Sequence, residues 1–342
     1  MQRRVTIRDV AREAGVSIAT VSNVLNRPGI VAAATRMRVQ DAIDALEFVR
    51  TEGARQLHGL SAPVIAVMLP ETAAPSGVEL TRGVEQEATG LGLGVLIHSG
   101  RQEHAQPARY VNFLAAQRIH GVVLMAGDRI DHAAKALHER GLPSVIVDDH
   151  HPRDAACSLE TDDAAGASDA VRHLLAQGHR TIAYVDGPAS RRSQHRLQAV
   201  TQAYCATGAT GAGSLTVRAD ALTCEAGRQA ADGLLAGPRR PTAVLCADVA
   251  LASGVLQALY EAGLRVPDDM AVVGFDDGVH GASAVVPLTT VQRPMAEMGR
   301  QAVRMLLRKT AAPLAHEHEH LVMRPELVVR GSSQRASTAV GR

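Results

Sequence analysis

Val5-Thr6-Ile7-Arg8-Asp9-Val10-Ala11-Arg12-Glu13-Ala14-Gly15-Val16-Ser17-Ile18-Ala19-Thr20-Val21-Ser22-Asn23-Val24-Leu25-Asn26 reads as two short helices joined by a tight turn. Thr6 is placed to cap the first helix, with Asp9 three residues on at the reciprocal position. Ile7, Val10, Ala11 and Ala14 then recur at i, i+3, i+4 and i+7, which makes one apolar stripe. Gly15 supplies the left-handed backbone that a sharp stop needs. Ser17 caps the second helix, whose Val21, Val24 and Leu25 face inward. Ile18, Ala19, Thr20, Ser22, Asn23 and Asn26 are left facing outward. They are small, neutral and mostly hydrogen-bonding, which suits the groove of a duplex better than bulk water. The pattern is a helix-turn-helix with its recognition helix at about 18–25.

The neighbouring sequence extends this head. Asn26-Arg27-Pro28-Gly29 makes a turn, and Thr35 is placed to cap a third helix carrying Val39, Ala42, Ile43 and Leu46. A three-helix headpiece over 1–47 is expected, followed by a connector over 48–61 that contains Ala54-Arg55-Gln56-Leu57. Residues 1–60 hold nine arginines against six carboxylates, so the head carries +3 and the rest of the +1 chain carries −2. That is enough for a phosphate footprint and far from a polybasic tail.

From Pro63 apolar strands alternate with helices. Val64–Leu69, Gly94–Ile97, Gly121–Met125 and Ser144–Val147 are continuous apolar runs, as expected of strands buried on both faces of a parallel sheet. The series restarts with helices at 163–177, 193–206, 223–236 and 250–263 and strands at 181–186, 214–218, 242–246 and 270–275. Two successive βα series imply two doubly wound subdomains with a cleft between them.

The run VTIRDVAREAGVSIATVSNVLN resembles the signature of the lactose-repressor (LacI/GalR) family of bacterial transcription regulators. Gln177-Gly178-His179-Arg180-Thr181-Ile182, Val273-Gly274-Phe275-Asp276-Asp277 and Leu288-Thr289-Thr290-Val291 resemble the same family, so the likeness spans about 5–330. It implies a periplasmic-binding-protein-like fold over 62–330. The N-subdomain would take about 62–162 and 293–321, and the C-subdomain about 163–292 and 322–330. Chain crossings would fall near 162, 292 and 322, and a polar, disordered tail would occupy 331–342. The tail has no heptads, so a homodimer is expected rather than a tetramer.

The resemblance also implies site residues. Thr6, Ser17, Thr20, Ser22, Asn26 and Thr35 match phosphate-contacting positions, while Ile18, Ala19 and Asn23 match base-reading ones. Ile18 and Ala19 offer apolar contact to thymine methyls, and Asn23 bonds to adenine or acts through water. Arg8, Arg12 and Arg36 add salt-sensitive attraction. In the connector the resemblance makes Arg55 a DNA-contacting residue and Leu57 the wedge of a hinge helix in the minor groove. The match is partial there, because Arg50-Thr51 replaces a common Pro-Asn pair and Gly53 disfavours a helix. Ala32 stands where a serine is frequent.

For an effector, the matched positions are Asp148, Arg196, Asp248, Asp276 and Arg293, at or near the strand ends where doubly wound sheets place ligands. Carboxylates accepting hydroxyls beside a forked guanidinium make a polyol or sugar site. Acidic residues at strand ends are equally helix caps, so Asp148 and Asp248 carry both readings. Four positions depart from the family: Ala199 replaces a usual Gly, Asp248 an Asn or Ser, Val249 an Asp, and Arg293 a common Gln. With three Phe, four Tyr and no Trp, little aromatic surface remains to stack a ring. A pentose, hexose, sugar acid or nucleoside all fit.

Other features are weaker. Gly90-Leu91-Gly92-Leu93-Gly94 follows a helix and precedes a strand, the wrong order for phosphate binding. His316, His318 and His320 alternate with glutamates and read as a solvated edge, so no metal and no cofactor are expected. Cys157, Cys205, Cys224 and Cys246 lack metal or redox spacing and read as reduced core thiols. No leader and no membrane-length apolar run is read, which points to a cytoplasmic, nucleoid-associated protein. The expected function is a dimeric transcription regulator, most simply a repressor, that binds a pseudo-palindromic DNA operator under control of a carbohydrate effector. The competing readings are a solute-binding protein and a sugar-converting enzyme on the same scaffold. The first has no use for a helix-turn-helix. The second needs a nucleophile or acid/base pair in recognisable context.

Overall fold

The computed structural model describes residues 5–48, 62–70, 75–99, 107–127, 130–148, 156–206, 215–276, 285–311 and 316–334. The chain divides into two compact units, Met1–Ala62 and Pro63–Arg342.

The first unit contains α1 (Ile7–Glu13), α2 (Ile18–Asn26) and α3 (Ala33–Ala45). The Asp9 carboxylate accepts from the Thr6 backbone N–H at 2.9 Å and from its hydroxyl at 2.7 Å, which fixes the start of α1. Gly15 turns the chain at φ +62°, and the Ser17 hydroxyl accepts from the Thr20 N–H at 3.0 Å to open α2. Val10, Ala11, Ala14, Val21, Val39 and Ala42 form the buried core, flanked by Ile7, Val24, Leu25, Ile43 and Leu46. One expectation is corrected. Helix α3 begins at Ala33 after Ala32, whose side chain offers no cap, and Thr35 lies in its first turn. The preceding 3₁₀ turn Pro28–Ile30 sets this earlier start, and Arg36 ties α3 to it by donating to the Pro28 carbonyl at 3.0 Å.

The second unit has two six-stranded sheets. The first carries β1 (Ala62–Leu69), β2 (Gly94–Ser99), β3 (Ile119–Met125), β4 (Ser144–Val147), β5 (Cys157–Thr161) and β11 (His320–Met323), in the order β11-β5-β4-β3-β1-β2. The second carries β6 (Ile182–Asp186), β7 (Leu215–Arg218), β8 (Ala243–Cys246), β9 (Ala271–Phe275), β10 (Thr289–Gln292) and β12 (Glu326–Val328), in the order β12-β10-β9-β8-β6-β7. Strand β12 runs antiparallel to β10, while β6 is parallel to β7 and β8, and β9 to β8 and β10.

Alternation along β1 explains why helices cover both faces. Ile65, Val67 and Leu69 pack with α4 (Pro75–Gly90) and α11 (Met295–Ala311), whereas Ala66 and Met68 pack with α5 (Pro107–Ala116) and α6 (Ile130–Glu139). Strand β2 is an edge, and its residues are only partly covered, unlike the fully buried runs expected. Helices α4 and α11 cross closely because Gly83 meets the Ala296 backbone, where a Cβ would overlap it. The second sheet is covered by α7 (Asp163–Ala176), α8 (Arg191–Cys205), α9 (Cys224–Ala236) and α10 (Val249–Glu261).

The chain passes between sheets at Asp162, at Arg293-Pro294 and at Arg324-Pro325. The last crossing falls later than the expected 322, because His320–Met323 pair in register with Ser158–Thr161 of β5. Ordered packing also continues past 330, into the stretch read as a tail. Ser332 and Ser333 are fully buried. The Ser332 hydroxyl accepts from Thr289 N–H at 2.8 Å and donates to the Val272 carbonyl at 2.6 Å, which docks this segment on β9 and β10. Hydroxyls that satisfy buried backbone groups make a polar stretch part of the core. Cys157 and Cys246 are buried, but Cys205 and Cys224 are exposed, so two of the four thiols are not core residues. Among the described residues no helix is long and apolar enough to cross a membrane.

Candidate functional site

The first surface is the outer face of α2. Val21 is buried and anchors the helix, which leaves Ile18 (46% exposed), Ala19 and Asn23 outward and Thr20, Ser22 and Asn26 partly so. No residue of α2 is charged, so no side chain of this helix repels phosphate. The Ser17 and Thr20 hydroxyls lie 2.9 Å apart, and Asn26 donates to Ser22 at 3.2 Å, so two polar pairs flank the apolar Ile18 and Ala19. A helix start favours a phosphate, and here it carries two hydroxyls, Ser17 and Thr20. Thr6 is exposed and Thr35 partly so. Arg55 and Leu57 lie outside the described residues.

The second site lies at the carboxyl ends of the strands in the Pro63–Arg342 unit. Asp148 follows β4, Asp276 follows β9, Asp248 follows β8, Arg293 follows β10 and Arg196 lies in α8. All five sequence-derived positions converge here. Asp148 and Asp276 both hold left-handed backbone, φ +69° and +65°. For a non-glycine residue that conformation is uncommon and persists where surrounding contacts enforce it.

Their backbones are held by the neighbouring strands, Asp148 N–H donating to the Leu159 carbonyl at 2.7 Å and Asp276 N–H to the Val291 carbonyl at 3.0 Å, and their carboxylates meet arginines. Arg293, with its side chain 1% exposed, donates from Nη1 to Asp148 Oδ2 at 2.5 Å and from Nη2 to Asp276 Oδ2 at 2.9 Å, and its Nε meets Asp276 Oδ1. The fork on Asp276 is bidentate, the geometry that suits a guanidinium best. Burial alone would raise the Asp276 pKa, but Arg293 and Arg196 outweigh it and hold the carboxyl below its ordinary range. Arg196 donates to the Ala247 carbonyl at 2.6 Å, pairs with Asp163 at 3.4 Å and lies 4.2 Å over the Phe275 ring. Asp248 caps α10, accepting from Ala250 N–H at 2.7 Å. Burial, reinforced by Asp276, pushes its carboxyl up to about 6. The capping role weighed for Asp248 is thus present, within the charge cluster.

Three contributors escaped the sequence reading: Arg192, Asp163 and Phe275. Arg192 contacts Asp148. It sits one turn before Arg196 on α8, a spacing that places both on one face. Helix α8 starts at Arg191 because Ser190 caps it, accepting from Ser193 N–H at 3.1 Å, a signal present in the sequence. Several buried polar atoms of the cluster lack a hydrogen-bond partner among the described residues, Arg192 Nη2 and Arg196 Nε among them, and two more matter for a ligand. Asp148 Oδ1 and Arg192 Nε are buried and have no hydrogen-bond partner among the described residues. A buried acceptor and donor left open at a strand-end cluster are what a hydroxylated ligand would satisfy. A cavity of about 340 Å³ borders Asp276 and Arg293, with Ser76, Glu79, Arg300 and Arg324 among its lining. That is the size range of small-molecule pockets.

Comparison with known proteins gives the same division of labour. Residues 6–51 match the model of bacterial regulatory proteins of the lacI family, and residues 171–333 match that of a periplasmic binding protein-like domain. The chain is 33% identical over 331 residues to the transcriptional repressor CytR of Escherichia coli K12, covering 96% of each. The chain belongs to the lacI family of bacterial regulatory proteins. Among solved structures it resembles the Lac repressor dimer bound to operator and the anti-inducer ONPF, at 28% identity and TM-score 0.82, covering 97% of this chain and 99% of that one. It also resembles the regulator CelR in complex with cellobiose, at 30% identity and TM-score 0.72, covering 96% and 100%. Family membership makes the protein a DNA-binding transcription regulator, and the relatives named here are regulators rather than enzymes.

Proposed function

We propose that the protein is a homodimeric repressor. Its headpieces read the two halves of a pseudo-palindromic operator, and its affinity for that operator is set by a small polyhydroxylated metabolite of the carbohydrate class. The α2 face carries the DNA reading, with Ile18, Ala19 and Asn23 on base edges. Thr6, Ser17, Thr20, Ser22, Asn26 and Thr35 meet phosphates, and Arg55 and Leu57 lie in the connector to the minor groove. The protein acts in the cytoplasm on nucleoid DNA.

The observation that carries the effector reading is the position of Arg293. It lies at a crossing between sheets and binds one aspartate from each sheet's strand ends, Asp148 and Asp276. A ligand whose hydroxyls take over Asp148 and Asp276 must reorganise contacts that span both sheets. It thereby gains differential affinity for two poses of the subdomains, which is what allosteric coupling requires. The sugar complex of CelR supports the ligand class. Arg196→Ala tests it. The variant should keep operator affinity in a gel-shift titration and lose the response to the effector found by a thermal-shift screen of sugars and nucleosides. A normal response would remove the strand-end cluster as the effector site.

A further inference from the structure

The sequence reading leaves His316, His318 and His320 as a solvated edge, but the fold brings two of them to a buried thiol. Cys157 opens β5 and is fully buried. Its Sγ lies 2.9 Å from His316 Nε2 and 3.8 Å from His318 Nδ1, and the three donor atoms all lie within 4.8 Å of one another. The pairing of β11 with β5 fixes this arrangement. His320 is in register with Ser158, and Ser158 N–H donates to the Glu319 carbonyl at 2.9 Å. His316 and His318 lie in the segment that leads into β11, and both rings reach Cys157. His320 is engaged elsewhere, 2.7 Å from the Ser158 hydroxyl and 3.4 Å from Glu160.

We propose that Cys157, His316 and His318 form a three-ligand site for Zn²⁺, with solvent in the fourth position. One thiolate and two imidazoles are the sulfur and nitrogen donors this ion takes in tetrahedral geometry. With metal–sulfur and metal–nitrogen bonds of ordinary length, the S···N separation in a tetrahedron is about 3.5 Å. The observed 2.9 and 3.8 Å bracket that value, so small side-chain rotations complete the site. Binding converts Cys157 Sγ–H to a metal-bound thiolate and releases one proton to solvent. The Lys309 ammonium acts on both Cys157 and His318, so a positive charge stands beside the site. Strand β11 leads directly into the Arg324-Pro325 crossing, so the ion would fasten the strand that precedes a crossing between sheets.

The test uses the purified full-length chain, stripped by chelator and kept reduced, titrated with Zn²⁺ alone against a chromophoric competitor, and with Co²⁺ as a spectroscopic probe. One ion per chain is expected, with a thiolate-to-cobalt charge-transfer band and a rise in thermal midpoint on Zn²⁺ addition. His316→Ala and His318→Ala, on the open side of the site, should each lose competitive binding. His320→Ala and Cys205→Ser should retain it. Cys157→Ser should lose the charge-transfer band; because Cys157 is buried, the two histidine variants decide the matter if that variant fails to fold. Wild type that binds no ion, histidine variants that bind as wild type does, or a cobalt spectrum without thiolate character would each overturn the proposal.

Discussion

Arg293 Nη1 stands 2.5 Å from Asp148 Oδ2, and both side chains are 99% covered. Buried ion pairs are not automatically stabilising, since removing two charges from water costs several kcal/mol per ion before their attraction is counted. Here Arg293 also forks onto Asp276, so one guanidinium serves two buried carboxylates. Arg293 thus acts as a strut between the strand ends of the two sheets.

Arg293→Gln should therefore leave Asp148 and Asp276 without their shared cation. The unfolding free energy is expected to fall by about 3 kcal/mol, as for breaking one side of a buried pair. Urea unfolding of the full chain at neutral pH reads this directly. Adding Asp148→Asn should recover part of the loss, because one of the stranded charges is then gone.

Asp248 gives a pH signature. Its folded carboxyl sits at about 6 against an ordinary 3.8. Between those values the folded chain holds a proton that the unfolded chain has released. Stability therefore falls as pH rises through the window, and the penalty is complete above about 6. Asp248→Asn keeps a good helix cap and removes the charge. The variant should be more stable than the parent by about 3 kcal/mol at pH 7, with the difference shrinking to nothing below about pH 3. A difference that does not change with pH would contradict the burial effect.

On the DNA side, Asn23→Ala should weaken operator binding by about 1–3 kcal/mol and relax preference at one base pair per half-site. Binding to random duplex should stay the same, since that affinity comes from phosphate contacts. Fluorescence anisotropy at fixed salt, with operator and random duplexes side by side, separates the two.

Much of this was legible in the sequence because the signals are local. Thr6, Gly15 and Ser17 each act within three or four residues, so α1 and α2 fall where caps and stop place them. Continuous apolar runs marked β1, β3 and β4, and GFDD marked Asp276 at the end of β9. Thr35 misled because a good capping residue lies just inside α3, while the true cap, Ala32, is silent in sequence. The packed Ser332-Ser333 was hidden because its partners, Thr289 and Val272, are more than 40 residues away. The Cys157–His316 contact spans 159 residues, so no spacing rule reaches it. Arg192 was recoverable from the Ser190 cap and from its position one turn before Arg196.

The most direct measurement of the account is selection of duplexes from a random-sequence pool by the purified full-length protein, followed by titration of the winners with and without candidate sugars. An inverted repeat should emerge, bound at least about a thousandfold more tightly than random duplex. At least one sugar or nucleoside should shift that affinity, and Arg196→Ala should abolish the shift. A pool that yields no inverted repeat, or a repeat whose affinity no metabolite changes, would contradict the view that a strand-end cluster in one unit governs a groove-reading helix in the other.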